Sequence, residues 1–367
     1  MTRPPVRVGV VGLGAVARAV YLPLLARRAD LFAVAALCDL SPHLLAHYGD
    51  ELDVSAAHRH PDLSSLLDGG DVDAILVLTS GSHAEASRLA VAAGVPALVE
   101  KPLGYTLADL EPLGTTSCLQ LGYMKLFDPA VRRALQVRAD RPPPRAVDVT
   151  VLHPPMADQL AHLPAPPMRP EPGPPVSLIP QWTAALGDEA AAVLGPLYTD
   201  VLLGSLVHDL YVVRALAGDP TAIDWATTWQ AGDGPGSVEF CGPLPGGGRL
   251  SVRWHHLAAY PAYREEVRVH DDAGSVELTF PAPYLLQHPT DLRVVDRAGP
   301  AERVTTFRST HEAFEEQLVA FHGLVVEGGT PEISVADGRR DVVTCQRIAR
   351  TLAAASGIPI GGEAAHA

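Results

Sequence analysis

Val6-Arg7-Val8-Gly9-Val10-Val11-Gly12-Leu13-Gly14-Ala15-Val16-Ala17 is an apolar, β-branched run that breaks into a glycine turn and passes directly into a helical stretch. Strand, G-x-G-x-x-G/A turn and helix in that order are the context in which a glycine hexapeptide holds a dinucleotide. Gly12 permits the tight turn, Gly14 lets the backbone approach a pyrophosphate, and the small Ala17 allows the helix to pack closely. Leu13, Ala15 and Val16 complete the loop that would line such a ligand. A second apolar run, Phe32 to Cys38, ends in Asp39, placed to accept hydrogen bonds from two ribose hydroxyls. Leu40, Ser41 and Pro42 follow it, with no Arg for a 2′-phosphate, which favours NAD over NADP.

Outward from this fingerprint the alternation continues. Ala74 to Leu78, Ala97 to Val99 and Leu119 to Gly122 read as strands, and Ala15 to Arg28, His83 to Ala93 and a stretch from about Thr106 read as helices. Near Asp128 the pattern changes. A helix over Asp128 to Arg138 precedes a segment, Arg141 to Pro180, in which thirteen of forty residues are proline. That density predicts extended loop apart from a strand at Ala146 to Leu152. The loop reads either as a proline-stiffened lid or as a variable surface segment. Helices are expected around Gln181 to Leu194 and from about Asp200 to Leu216. Alternating runs such as Leu250 to His256, Glu266 to His270 and Ser275 to Phe280 follow, separated by turns at Asp233-Gly234, Gly246-Gly247-Gly248 and Asp272-Ala273-Gly274. Helices over His311 to Glu327 and Val335 to Ala355 close the chain. The expected fold is α/β: a Rossmann domain over 1–125 and a second α+β domain over 126–367 on an open, largely antiparallel sheet, with the C-terminal helix able to pack back on the first domain.

The chain has 367 residues, enough for about two domains. Its 28 basic against 42 acidic side chains give a net charge of −14, which argues against nucleic acid and anionic membrane as partners. Cys38, Cys118, Cys241 and Cys345 show neither CxxC pairing nor metal-ligand spacing, so a reducing, cytoplasmic setting and no metal are expected. Val8 to Ala26 mimics a secretory signal, but Arg18 and three glycines interrupt it. No apolar run of about 18 residues elsewhere suggests a membrane span.

Of the 28 basic residues only Lys101 and Lys125 are lysine. Arg can replace Lys on a solvated surface but stays protonated near neutral pH, so a surviving Lys is either a candidate position for an amine or a chance retention. Lys101 lies in Glu100-Lys101-Pro102 at a strand end, the edge where open α/β sheets bind ligands, and there it can act as general acid or base. The run Val77 to His83 ends another strand at the same edge, placing Thr79 near the nicotinamide half of a cofactor and His83 at the start of a helix.

These segments, with Gly122-Tyr123-Met124-Lys125-Leu126-Phe127-Asp128-Pro129 and the helix after Ile333-Ser334-Val335-Ala336-Asp337-Gly338, resemble the Gfo/Idh/MocA family of sugar and cyclitol oxidoreductases. The resemblance implies a substrate held in a cleft between two domains, an open sheet that builds homodimers or homotetramers, Lys101 at the reacting oxygen, Tyr123 near the substrate and His208 assisting proton transfer. It also exposes departures. The family commonly carries Asp four residues before that His and often three after it, where this chain has Gly204 and Tyr211. Asp209 replaces the missing acid only if the helix is rotated or the loop shifted.

Three readings follow. The first is an NAD-dependent oxidoreductase moving hydride to or from a ring carbon of a sugar, nucleotide sugar or cyclitol. The second is a redox-neutral enzyme that oxidises a sugar transiently with bound NAD, and the third a nicotinamide-binding sensor without activity.

Overall fold

The computed structural model describes residues 4–164, 177–230 and 234–367. The chain divides into two compact units, Met1–Tyr123 with Leu163–Leu178 and Phe314–Arg339, and Met124–His162 with Ile179–Ala313 and Arg340–Ala367.

The first unit is built on six parallel strands, β1 (Val6–Val11), β2 (Phe32–Cys38), β3 (Arg59–His60), β4 (Ala74–Val77), β5 (Ala97–Val99) and β6 (Leu119–Leu121), in the order β3-β2-β1-β4-β5-β6. This is the doubly wound dinucleotide-binding order, whose direction reverses between β1 and β4. Val8, Val10, Ile75, Leu76 and Leu98 are fully buried, because crossover helices cover both faces of a parallel sheet. The first crossover is not one α-helix: residues Ala17–Tyr21 form a π turn before Leu22–Arg27. Helices at Pro42–Glu51 and Leu63–Gly69 are each capped at the N-terminus: Ser41 accepts from the Leu44 N–H at 3.3 Å and Asp62 from the Ser65 N–H at 2.9 Å.

The second unit carries eight further strands: β7 (Ala146–His153), β8 (Trp225–Trp229), β9 (Ser237–Pro243), β10 (Arg249–His256), β11 (Arg264–Asp271), β12 (Gly274–Phe280), β13 (Asp291–Ala298) and β14 (Ala301–Phe307). Their order is β14-β13-β12-β11-β7-β10-β9-β8, antiparallel except for β7 beside β10. One face is apolar, with Val147, Val149, Val252, Val267 and Val269 at 1% exposure or less; helices Pro129–Ala139 and Val207–Ala217 pack against this sheet. The other face carries ion pairs such as Arg253–Asp148 and Arg293–Glu277.

The two helices expected near 181–194 and 200–216 are instead Ile179–Leu186 and a continuous run, Asp188–Ala217. Pro196 interrupts the second without ending it because the chain widens into a π segment over Leu197–Leu206. That 30-residue helix is long and apolar enough to cross a membrane, but 67% of its most apolar window is buried within the protein. Much of the proline-rich loop, 165–176, and Asp233 of the expected Asp233-Gly234 turn lie outside the described residues. Proline density did not exclude helix entirely, since Met156–Gln159 forms a single turn directly after Pro155.

Candidate functional site

At the C-terminal ends of β1, β2, β4 and β5 the polar groups are largely main chain. Gly12 has φ +93°, and a Cβ there would stand 2.8 Å from the Thr79 nitrogen, so only glycine fits between the first and fourth strands. A Cβ at Gly14 would meet nothing within 4 Å, which leaves open space in front of the helix that starts at residue 15. Ala15 is exposed and Val16 half-buried beside that space. Asp39 is oriented from both sides: its carboxylate accepts from the Leu13 N–H and the Ser41 N–H, each at 2.8 Å. Each oxygen keeps a further acceptor position, so the acid fits a ribose diol and the open turn fits a pyrophosphate.

Thr79 is exposed at the end of β4. His83, expected beside the cofactor, is instead 1% exposed, and its Nδ1 and Nε2 lie 2.7 Å from the Pro102 carbonyl and 2.8 Å from the Thr79 carbonyl. Burial holds this imidazole below its ordinary pKa, against the upward pull of the two carbonyls. A neutral imidazole carries one N–H, so His83 donates to one of these two carbonyls while its ring lies wedged between the two loops. Glu100 is also buried, accepting from the Tyr21 hydroxyl at 2.7 Å and from the Lys101 N–H at 3.2 Å. The half-buried Lys101 follows it. Tyr123, directly after β6, is 1% exposed.

The remaining candidates belong to the second unit. His208 Nδ1 pairs with the Tyr211 hydroxyl at 2.9 Å, and Asp209 is absent from that contact. Gly204 stands in the π segment, where a Cβ would lie 2.8 Å from the Thr199 carbonyl, so the backbone leaves no room for an acid at that position.

Asp209 turns instead into a buried cluster that sequence reasoning did not assemble. Lys125 pairs with Glu265 on β11, the Tyr263 hydroxyl donates to Glu265 at 2.7 Å, and the Lys125 ammonium sits 4.6 Å from the Phe280 ring centre. Lys125, Glu265 and Asp209 are all at 5% exposure or less. Burial first, then the Glu265 charge, pushes the Asp209 carboxyl well above its usual range. Burial acts on Glu265 in the same direction, but Lys125 and the hydrogen bonds from Asp209, Lys125 and Tyr263 outweigh it and hold that carboxylate low. The cluster thus pairs a carboxyl whose proton is held more tightly than usual, Asp209, with one whose proton is held less tightly, Glu265. The scarcity of lysine pointed to Lys125; nothing in the sequence pointed to Glu265 or Tyr263. Among the described residues no group of three or more His, Cys, Asp or Glu is arranged to hold a metal ion.

Residues 6–117 match the model of an oxidoreductase family with an NAD-binding Rossmann fold, GFO_IDH_MocA. Over these residues the chain is similar to the Gfo/Idh/MocA oxidoreductases. Inositol 2-dehydrogenase 2 of Saccharopolyspora erythraea is 32% identical over 130 residues, 34% of this chain and 38% of that protein. A 1-carboxy-3-chloro-3,4-dihydroxycyclohexa-1,5-diene dehydrogenase of Comamonas testosteroni is 34% identical over 141 residues, 36% of this chain and 34% of that protein. The match thus spans less than two fifths of each of these two relatives. Beyond the matched residues the likeness is one of fold. An aldose–aldose oxidoreductase from Caulobacter crescentus superposes with a TM-score of 0.70 at 22% identity, covering 96% of this chain and 98% of the other. A scyllo-inositol dehydrogenase from Lactobacillus casei gives 0.67 at 18% identity, covering 97% and 98%.

Proposed function

We propose that this protein is an NAD-dependent oxidoreductase that moves hydride between the nicotinamide and a ring carbon of a cyclitol or sugar-like polyol bearing a hydroxyl or ketone. The observation that carries the reading is Asp39, held by the Leu13 and Ser41 N–H groups next to a glycine turn that admits no side chain at Gly12. A fixed acid at this place accepts a ribose diol and opposes a 2′-phosphate, hence NAD and not NADP. The dehydrogenases of inositols and of a dihydroxylated ring among the relatives support a cyclic polyol as substrate.

When bound, the nicotinamide cofactor supplies the hydride acceptor or donor. Lys101 takes the hydroxyl proton in oxidation and returns it to the carbonyl oxygen in reduction. His208, held through Nδ1 by the Tyr211 hydroxyl, is the supporting proton-transfer group. Tyr123, near the substrate by the resemblance, and Asp209 are at 2% exposure or less and support the site from buried positions.

The test is absorbance at 340 nm with NAD⁺ and a panel of inositols and aldoses, for wild type and Lys101→Met. Turnover by wild type with a loss of roughly 10²-fold or more in Lys101→Met is the expected result, within the range of general acid–base catalysis. Full activity of Lys101→Met removes Lys101 from the mechanism. Consumption of a sugar with catalytic NAD and no net absorbance change replaces the reading with the redox-neutral one.

A further inference from the structure

The half-buried Lys101 is flanked by two buried residues whose polar atoms are tied to distant parts of the first unit. On one side is Glu100, whose Oε1 accepts from the Tyr21 hydroxyl at 2.7 Å and whose Oε2 accepts from the Lys101 N–H at 3.2 Å. Tyr21 is in turn the acceptor for the Gln317 amide at 2.9 Å. On the other side Pro102 offers its carbonyl to His83. Tyr21 and Gln317 are 0% exposed.

An apolar ring would fill the place of Tyr21 equally well, since the ring packs edge-on against Phe314 with centroids 5.7 Å apart. A buried hydroxyl costs desolvation unless it is hydrogen-bonded, and this one bonds to the carboxylate next to Lys101. The hydroxyl is presented by the last residue of the π turn Ala17–Tyr21. Gln317 comes from the helix Ala313–Glu327, far along the chain, and donates to the hydroxyl that Glu100 shares.

We propose that Tyr21 and Gln317 are positioning residues that hold Glu100, and through its bond to the Lys101 N–H fix the main chain from which Lys101 reaches the reacting oxygen, with His83 pinning the far flank. This rests on the reading of Lys101 as the acid–base group, and it adds that the placement of the amine is set from the first crossover helix and from a helix of the C-terminal part. In Tyr21→Phe the Glu100 carboxylate loses a donor and the Lys101 backbone loses its fixed neighbour. Misplacement of a catalytic group by about 1 Å costs up to roughly 10²-fold in rate, so a fall of about tenfold in kcat with KM changed less than twofold is expected.

The two-lysine composition offers a readout that needs no substrate. With lysine labelled with ¹³C at the ε-carbon, the intact protein gives one signal for Lys101 and one for Lys125. Spectra are recorded with NAD⁺ for wild type, Tyr21→Phe, Gln317→Leu and the double variant. The proposal expects Tyr21→Phe to displace the Lys101 signal while Lys125 stays in place, Gln317→Leu to displace it less, and the double variant to match Tyr21→Phe, because both act through one carboxylate. An unmoved Lys101 signal in Tyr21→Phe, with kcat unchanged on the inositol or aldose that wild type oxidises, overturns it. If Tyr21→Phe shifts both lysine signals through loss of fold, Gln317→Leu decides by the same criterion. Lys101→Met separates this idea from its foundation: a fully active Lys101→Met defeats the acid–base reading, whereas an inactive one beside an undisturbed Tyr21→Phe defeats only the clamp.

Discussion

At the strand ends of the parallel sheet, backbone groups do most of the organising: Gly12 lets β1 pass against the Thr79 backbone, and two N–H groups aim Asp39. In the second unit the corresponding density of polar groups is made of side chains gathered from three separate segments: Lys125, Asp209 and Glu265, all buried, with the half-buried Tyr263 donating to Glu265. A backbone site demands glycine at fixed spacing and so leaves a local trace in the sequence. A side-chain cluster demands only compatible charges in three dimensions and leaves none. The two should also fail differently when altered, the first in ligand binding and the second in stability.

The largest effect is expected from Lys125→Met. Removing the ammonium leaves Glu265 as a buried charge without its ion-pair partner, a change that typically costs about 3–5 kcal/mol. Urea unfolding checks it, and a loss under about 1 kcal/mol would place the cluster in contact with solvent and erase the contrast. Gly12→Ala comes next. A side chain at φ +93° pressed against the Thr79 backbone strains the turn by roughly 1–3 kcal/mol, and the displaced loop should weaken NADH binding by more than about tenfold, whereas Lys125→Met should leave NADH affinity near wild type in whatever fraction stays folded.

Asp209→Asn is the smallest change and the sharpest for the cluster. Burial and the Glu265 charge raise the Asp209 carboxyl well above its usual range, so a neutral amide of the same shape is expected to replace it at a cost of under about 1 kcal/mol, less than Glu265→Gln, which removes the charge that Lys125 pairs with. The sign of the pH dependence follows from the raised carboxyl. Below the unfolded value near 4 the acid is protonated in both states and carries no penalty. As pH rises above that, the unfolded chain releases the proton while the folded chain keeps it, so Asp209 contributes progressively less stability until its folded pKa is passed. Wild type should therefore lose ground to Asp209→Asn as pH rises above about 4; a difference that grows in favour of wild type on raising the pH would show that the folded protein does not hold the Asp209 proton more tightly than the unfolded chain. Glu265 works in the opposite sense, its contribution present above the unfolded value and lost as pH falls through the depressed folded one.

The legible part of the molecule follows the same division. Strands β1, β2 and β5 and the helix Val335–Ala355 lie where apolar periodicity and turn residues put them, because local pattern and burial agree there. Asp39 and Lys101 stand out in the sequence for a related reason, as polar residues that directly follow apolar strand runs. His83 was recognisable as a residue of interest but not as a ring wedged between two loops, since its partners are carbonyls that any sequence supplies. The continuous helix Asp188–Ala217 departs from the separate helices expected around Gln181 to Leu194 and from about Asp200 to Leu216, because the π widening that carries it past Pro196 has no local signature. The pairing of His208 with Tyr211, and the turning of Asp209 toward Glu265, depend on helix rotation, which periodicity defines only to within a residue or so.

The central claim is that Asp39, fixed by the glycine turn, selects an unphosphorylated adenosine ribose. It is tested most directly by titrating the cofactor-stripped protein with NADH and with NADPH, following nicotinamide fluorescence, for wild type and Asp39→Ala. The account predicts that wild type binds NADH at least about tenfold more tightly than NADPH, and that Asp39→Ala loses most of this preference, as removal of a charged hydrogen-bond partner worth about 1.5–3 kcal/mol requires. Preference for NADPH in wild type, or a preference unchanged in Asp39→Ala, would contradict it.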